Sequence, residues 1–139
     1  MSTYRTDFYQ WTKAQVDALR RRDPTKLDWE NLSEEIESLG NRERREVAAR
    51  LETLAFHLIQ WRHQPELQSG VWRSSIHEAR RRIEDLLRDN PSLRPYLGEC
   101  LPKAYGYGPA RALDETASLA LPEECPWTIE QILVPDWLP

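Results

Sequence analysis

Apolar side chains recur at steps of three and four residues over the longest regular stretch of the chain, from about residue 29 to residue 63. This spacing is that of one face of an α-helix. The repeating positions are Leu32, Ile36, Leu39, Val47, Leu51, Leu54, Leu58 and Trp61. Gly40 interrupts the stretch, but the apolar positions before and after it stay on the same face of one helix. A glycine inside a helix lowers helix stability by only about 1 kcal/mol relative to alanine. We therefore expect one long helix with Trp29 and these residues facing inward; two helices separated at Gly40 are the alternative.

Shorter helices are predicted on both sides of this stretch. Thr12 and Gln15 have the spacing of a capping box, which predicts a first helix with Val16 and Leu19 inward and an end near Pro24. Asp7 is expected to cap a separate turn before that helix. A third helix is predicted to start after Ser69-Gly70 and to run through Arg88, with Asn90-Pro91 as its stop. Its apolar face consists of Trp72, Ile76, Ala79, Ile83, Leu86 and Leu87.

The last third of the chain is rich in proline, because eight of the ten prolines lie from Pro91 onward. A fourth helix over residues 93–101 is expected to be compromised by Pro102 and to break at 106–109, since proline removes a backbone donor and clashes inside a helix. Another short helix is predicted from residue 110 to about 119. The final arm, 122–139, carries several large apolar residues and is expected to pack back on the helices.

The fold predicted from these patterns is an all-α bundle of about four main helices, one of them long (about 29–63), with the proline-rich arm packed back on it. No segment shows the sustained alternation of apolar and polar residues that is typical of a half-buried strand. The length of 139 residues fits a single helical domain over 1–139. Within it, 1–90 holds 16 acids and 16 bases, whereas 91–139 holds seven acids and three bases.

Composition excludes several classes of protein. No run approaches the roughly 18 apolar residues that a membrane-spanning helix requires. The first twenty residues lack the apolar centre of a secretory signal, and this indicates a cytoplasmic protein. The two cysteines, Cys100 and Cys125, are then expected to be free thiols. No motif for binding a cofactor is present, so no cofactor is predicted.

Three segments carry a resemblance to a known family. They are LDWENLSEEIESLG at 27–40, HLIQWRHQP at 57–65 and CPWTIEQIL at 125–133. With Asp7-Phe8-Tyr9 before them, the chain resembles domain-of-unknown-function family 29, a bacterial family especially abundant in cyanobacteria. The resemblance covers nearly the whole chain, and it implies an all-helical cytosolic domain but no activity. It also implies an uninterrupted helix around Tyr105, whereas residues 102–109 of this chain depart from the family pattern.

Charged residues interrupt the inward side of the predicted helices at seven-residue spacing. The candidate polar network or pocket consists of Glu35, Glu43, Arg50, His57 and Arg80. We expect Arg80 to meet Glu35 or Glu43, because a buried charge without a partner is costly. Such a network can serve as a structural salt bridge that fixes helix register, or it can line a ligand pocket.

Catalysis, metal binding and nucleic-acid binding have weaker support. No nucleophile motif or phosphate-binding loop is present, so no catalytic residue is assigned. The three histidines lack the spacing that places two metal ligands on one helix face, and no metal is predicted. Three arginine triplets, at 20–22, at 42 with 44–45 and at 80–82, each have acids nearby. Such mixtures are typical of a solvated helix face, so nucleic-acid binding is a weak third hypothesis.

Protein–protein interaction is the leading hypothesis for function. Six tryptophans are many for this length, and tryptophan and arginine are enriched at interface centres. Trp127 and Trp137, on the C-terminal arm, are the candidate anchors; the alternative is that all six tryptophans belong to the core. We therefore predict a non-enzymatic interaction or regulatory module with an unknown protein partner or self-association. The alternative is a small-ligand or metal-binding pocket in the bundle core.

Overall fold

The computed structural model describes residues 3–107, 122 and 124–139. The helices of this part are α1 (Phe8–Arg20), α2 (Trp29–His63), α3 (Gly70–Asp89), α4 (Arg94–Tyr107) and a single turn, α5 (Ile129–Ile132). No strand occurs in the described ranges, and the predicted all-α fold is confirmed. The helix predicted at 110–119 lies outside the described residues.

The long helix is continuous through Gly40. This confirms the prediction from its apolar positions, which keep the same helical spacing before and after Gly40. α2 begins at Trp29 after Asp28, whose carboxylate accepts a hydrogen bond from the Asn31 side chain at 2.8 Å. Gly40 is not needed for a close approach, since a Cβ built there would meet no atom within 4 Å. The helix tolerates Gly40 because the cost of one glycine is small beside the packing of the residues that follow.

α1 differs from its predicted start by one turn. Asp7 is its N-cap, and the Asp7 carboxylate accepts a hydrogen bond from the Gln10 amide at 3.0 Å. Thr12 therefore lies inside the helix, where its hydroxyl donates to the Tyr9 carbonyl, and the predicted capping box is wrong. The earlier start also changes which residues face inward: Trp11, Gln15 and Ala18 are buried, whereas Val16 and Leu19 are exposed.

Two compact units make up the chain, Met1–Arg42 and Glu43–Pro139. We call them the N-terminal unit and the C-terminal unit. The N-terminal unit is a helical hairpin in which α1 runs antiparallel to the first half of α2. The Trp11 indole N–H donates to the Asp28 carboxylate at 2.9 Å, and the Asp28 amide donates to the Gln15 side chain at 2.7 Å. Near the open end of the hairpin the Tyr4 hydroxyl donates to Glu35.

The C-terminal unit is built around one apolar core. Its buried members come from the second half of α2, from α3, from α4 and from the C-terminal arm: Val47, Leu51, Leu54, Ala55, Leu58, Trp61, Ile76, Ala79, Ile83, Leu97, Leu101, Ala104, Ile129, Ile132 and Leu133. Thr128 and Gln131 form a complete capping box at the start of α5. The described part of the arm is packed on the helices, as predicted, because its apolar residues complete this core.

The fourth helix is longer than its sequence pattern indicates. α4 continues through Pro102 as far as Tyr107, so Pro102 does not interrupt the helix as expected, whereas the break predicted at 106–109 is not contradicted by the described residues. Leu101, Ala104 and Tyr105 are buried, while Pro102 is exposed. Because Pro102 has no amide hydrogen, the carbonyl one turn before it lacks its usual hydrogen-bond donor. That carbonyl lies on the side open to water, and packing of the opposite side of α4 stabilises the helix. Residues Gly108 and Pro109 lie outside the described ranges.

The first half of α2 departs most from the prediction. Trp29, Ile36 and Leu39 were expected to face inward, but Trp29 is 62% exposed and Ile36 66% exposed, and Leu39 is exposed as well. The physical reason is a shortage of cover within the N-terminal unit. α1 is a short helix, and its Trp11 and Gln15 side chains bond Asp28, the residue before α2. Glu35 is bonded by Tyr4, the residue that precedes α1 by four positions, so neither contact covers the apolar side.

Candidate interaction surface

Exposed large apolar side chains concentrate in the N-terminal unit. Among the described residues ten such side chains are exposed, and seven of them precede residue 43. These seven are Phe8, Tyr9, Val16, Leu19, Trp29, Ile36 and Leu39. Scattered apolar residues on a surface need no explanation, but a concentration of this kind marks a site of interaction.

Each helix of the hairpin carries an exposed apolar stripe. The α1 stripe consists of Tyr9, Val16 and Leu19, and the α2 stripe consists of Trp29, Ile36 and Leu39. Within each stripe the residues are separated by three or seven positions, which keeps them on one side of a helix with 3.6 residues per turn.

The two stripes lie on the same side of the hairpin. In α1 the stripe is about a third of a turn ahead of the inward residues Trp11 and Gln15. In α2 the stripe is ahead of Glu35, which the Tyr4 hydroxyl contacts, by a similar angle. Because the helices are antiparallel, equal rotations in the same sense bring both stripes to one side. We call this combined surface the apolar face.

Glu35, the first member of the predicted polar network, belongs to the N-terminal hairpin. Its carboxylate accepts a hydrogen bond from the Tyr4 hydroxyl. That hydrogen bond, assisted by burial and by the negative charge of Glu35, raises the pKa of Tyr4 above its ordinary value. Glu35 therefore ties residue 4 to α2, which is a structural role in the hairpin.

Arg50 and His57 lie on one open cleft between α2 and α3. The cleft has a volume of about 760 Å³. Its polar lining is completed by Thr53, Ser74, Ser75 and Glu78. His57 Nδ1 lies 3.1 Å from the Gln60 side-chain oxygen, which orients the imidazole ring. The structure thus brings together two of the five predicted network residues, on a surface that hydroxyl and guanidinium groups make suitable for a small polar ligand.

Arg80 is buried, with 4% of its surface exposed, but its partners differ from those predicted. Its Nε donates to the Ile132 carbonyl at 2.7 Å, and its Nη2 donates to the Trp137 carbonyl. The expected pairing with Glu35 or Glu43 is therefore wrong. Glu43 is half-buried on α2, and in the described ranges no ion pair joins it to Arg80.

The environment of Arg80 explains why backbone carbonyls can replace a carboxylate. α5 ends at Ile132, so the carbonyl of this residue has no partner within the helix and needs an external donor. Desolvation lowers the pKa of the Arg80 guanidinium, while the negative charges of Asp136 and Glu84 oppose that shift. Arg80 consequently fastens the C-terminal arm to α3 and does not belong to a ligand pocket with Glu35.

Trp127 and Trp137, the two predicted anchors, are half-buried and pack against the core of the C-terminal unit. Their rings contact each other edge to face, with centroids 5.8 Å apart. The structure thus favours a core role for both. The exposed apolar residues that sequence reasoning missed are in the N-terminal unit. The sequence does contain a sign of this exposure. Only one short helix is predicted before α2, and one short helix cannot cover the apolar side of the first half of α2.

The part of the chain that the structure describes has neither a cluster of metal ligands nor a membrane-spanning helix. It contains no group of three or more His, Cys, Asp or Glu side chains placed to hold a metal ion. None of its helices combines the length and apolar character needed to cross a bilayer. Cys100 and Cys125 are both free, and burial raises the pKa of the Cys125 thiol.

Comparison with known proteins yields a family without an assigned activity. No curated protein matches the chain, and no solved structure matches it. A family model does match, over residues 3–138, which is nearly the whole chain, and it confirms the resemblance seen in the sequence. The chain belongs to the family described as domain of unknown function DUF29.

Proposed function

We propose that this protein is a non-enzymatic protein-interaction module that binds its partner through the apolar face of the N-terminal unit. The observation that carries the proposal is the exposure of seven large apolar side chains within the first 42 residues. The residues of that face are carried by two helices. Such a surface is preformed, so binding of a partner does not carry the conformational-entropy cost of ordering a loop.

The free energy available from this face is appreciable. With roughly 150 Å² of surface per large apolar side chain, the six residues of the two stripes at about half exposure leave roughly 450 Å² open to water. Burial of apolar surface contributes about 25 cal/mol per Å², before the cost of association is subtracted. Trp29 and Tyr9 add aromatic rings, which dominate the energetics of many interfaces.

Two other hypotheses have less support. The cleft with Arg50 and His57 favours a small polar ligand as the second candidate function, but it is wide and open and no described side chain in it is both charged and deeply buried. Nucleic-acid binding is third. Its support is reduced because Arg80, a member of one arginine triplet, is buried and hydrogen-bonded to the chain itself. We place the protein in the cytoplasm, and the two free thiols support a reducing compartment.

Site-specific photo-crosslinking in the cells that express the protein tests the proposal. A photoreactive phenylalanine replaces Ile36, on the apolar face, or Val71, which is 74% exposed but belongs to the C-terminal unit. We expect discrete protein adducts from position 36 and none from position 71. Equal labelling at both positions, or the absence of protein adducts at position 36, would contradict the proposed docking surface.

A further inference from the structure

A small pocket lies between α3 and the C-terminal arm, beside the buried Arg80. Its volume is about 270 Å³. The residues that line it are Arg73, Ile76, His77 and Arg80 of α3 together with Asp136 and Leu138 of the arm. All of them belong to the C-terminal unit, and none of them lines the cleft that contains Arg50 and His57. The pocket is therefore a site of its own, which we call the arm pocket.

The guanidinium of Arg80 is held in place with one nitrogen left over. Its Nε donates to the Ile132 carbonyl and its Nη2 donates to the Trp137 carbonyl, which fixes the plane of the group. Nη1 has no hydrogen-bond partner among the described residues. Every buried polar side-chain atom in that part of the chain does have a partner, so Nη1 is open to solvent. Since Arg80 is 4% exposed and lines the arm pocket, the pocket is where this nitrogen can meet a ligand.

Two further basic side chains of α3 line the arm pocket. Arg73, His77 and Arg80 are four and three residues apart, which keeps them on one side of the helix. The Arg73 guanidinium lies over the Trp61 ring, 5.4 Å from its centroid. In the described ranges no ion pair joins Arg73 or His77 to a carboxylate. Both groups therefore remain available to an anion in the pocket.

The acidic member of the lining, Asp136, limits the charge that the arm pocket can accept. No ion pair of the described residues joins Asp136 to Arg80, so Nη1 is not occupied by this carboxylate. Asp136 and the more distant Glu84 nevertheless place negative charge near Arg80. Two guanidinium groups and one carboxylate leave one net positive charge in the lining while the imidazole is neutral, which suits a monoanion better than a dianion. Ile76 and Leu138 add apolar surface for a carbon skeleton.

We propose that the arm pocket binds a small organic carboxylate, whose oxygens accept hydrogen bonds from Nη1 of Arg80 while Arg73 adds positive charge. A guanidinium is the group best matched to a carboxylate, and one that its own protein already holds rigid loses little freedom on binding. At about 30 Å³ per non-hydrogen atom, the value for liquid water, the pocket holds a ligand of roughly nine such atoms. This inference goes beyond the interaction module and is independent of it, because the two sites belong to different units.

Titration of the full chain with benzoate and benzamide tests the charge of the ligand, since the two probes share size and shape and differ in charge. NMR follows the Nε–H signal of Arg80, which the hydrogen bond to Ile132 protects from exchange. Benzoate should shift this signal saturably and bind at least about fivefold more tightly than benzamide, because a charge-assisted hydrogen bond is the stronger one. Equal affinities, or no saturable shift with benzoate, would overturn the proposal. Tighter binding of inorganic phosphate than of benzoate would overturn the assignment to a carboxylate.

Exposed charges of the arm pocket give a second test, in which two variants change the affinity in opposite directions. Asp136→Asn should tighten benzoate binding by about threefold, and Arg73→Gln should weaken it by a similar factor. Asp136 has a left-handed backbone with φ 63°, which asparagine also adopts, so this substitution causes no strain. The control, Arg81→Gln, makes the same charge change on α3 outside the pocket and should leave the affinity unchanged. Equal weakening by Arg73→Gln and Arg81→Gln, or no gain from Asp136→Asn, contradicts binding in this pocket.

Arg80→Lys tests the donor itself. Lysine keeps the positive charge but lacks the planar fork, so benzoate should bind at least about tenfold more weakly. Circular dichroism checks that this variant is folded, and a folded variant with the affinity of the wild type excludes Nη1 as the donor. If the variant is unfolded, the substitutions at the exposed residues 73 and 136 decide the proposal.

Discussion

The two halves of α2 carry the same apolar stripe and use it differently. Trp29 and Val47 are eighteen residues apart, as are Ile36 and Leu54, and eighteen residues make five full turns of an α-helix. Each pair therefore lies on one line along the helix. Val47 and Leu54 are fully buried, whereas Trp29 and Ile36 are more than half exposed. The helical period sets which side of α2 is apolar, and the number of neighbouring elements sets whether that side is covered.

The comparison also explains the different roles of charge in the two units. In the C-terminal unit even a guanidinium, that of Arg80, is buried, because the end of α5 supplies carbonyls that need a donor. In the N-terminal unit Asp28 and Glu35 are half-buried and hydrogen-bonded to Trp11 and Tyr4, and most other charged groups are exposed. Arg21, for example, pairs with Asp17 at 3.1 Å on the exposed side of the hairpin. Such an exposed pair adds little to stability.

The largest effect is expected from truncating the two matched positions of α2. Leu54→Ala should lower the free energy of unfolding by about 2–5 kcal/mol, since it removes buried methyl groups and leaves a cavity. Ile36→Ala should change it by less than about 0.5 kcal/mol, because the side chain is already in water. Urea unfolding, followed by circular dichroism at a protein concentration too low for association, measures both. Equal losses at the two positions would show that the first half of α2 is covered within the chain.

A smaller loss is expected when Arg80 is removed from the C-terminal unit. Arg80→Ala leaves the Ile132 and Trp137 carbonyls without their donor, and it should cost about 2–4 kcal/mol. The exposed neighbour, Arg81→Ala, is the control and should cost less than about 0.5 kcal/mol. Amide hydrogen exchange should accelerate at residues 129–133 in the first variant. If the two variants have the same urea midpoint, Arg80 does not fasten the arm.

The smallest effect is a gain in stability at the glycine between the two halves of α2. Gly40→Ala should raise the free energy of unfolding by about 0.4–1 kcal/mol, because alanine restricts the unfolded chain and meets no atom within 4 Å in the helix. Gly98→Ala, at a comparable position in α4, should give a similar gain. A loss of stability at Gly40 alone, measured by urea unfolding, would indicate that α2 needs a bend there.

Local patterns were sufficient for most of the fold. The ends of α2 and α3 follow from Asp28, Pro65, Ser69 and Pro91, since capping residues and prolines act on their immediate neighbours. The capping box of Thr128 and Gln131 is likewise a local feature, since both residues lie within one turn. Local reasoning was wrong at Thr12, where Asp7 is the better placed cap, and at Pro102, where burial of the opposite side of α4 outweighs the lost hydrogen bond.

The candidate sites were less accessible to sequence reasoning, because they depend on which elements meet. Seven-residue spacing puts Arg50 and His57 on one side of α2, and both line one cleft. The spacing could not predict the hydrogen-bond partners of Arg80. These partners are backbone carbonyls, which every residue has, so the sequence does not distinguish them. Nor could seven-residue spacing distinguish a half-buried tryptophan from an exposed one: Trp137 and Trp29 are both flanked by apolar and acidic residues.

The sequence by itself determined that the chain is helical, where its long helix begins and ends, and which side of each helix is apolar. These properties depend on interactions within a few residues, such as caps, prolines and the 3.6-residue period. Tertiary structure decided that the stripe of α2 is covered after residue 43 and open before it, and that Arg80 holds the C-terminal arm. Burial requires a neighbour from elsewhere in the chain, and that choice is made by packing rather than by local preference.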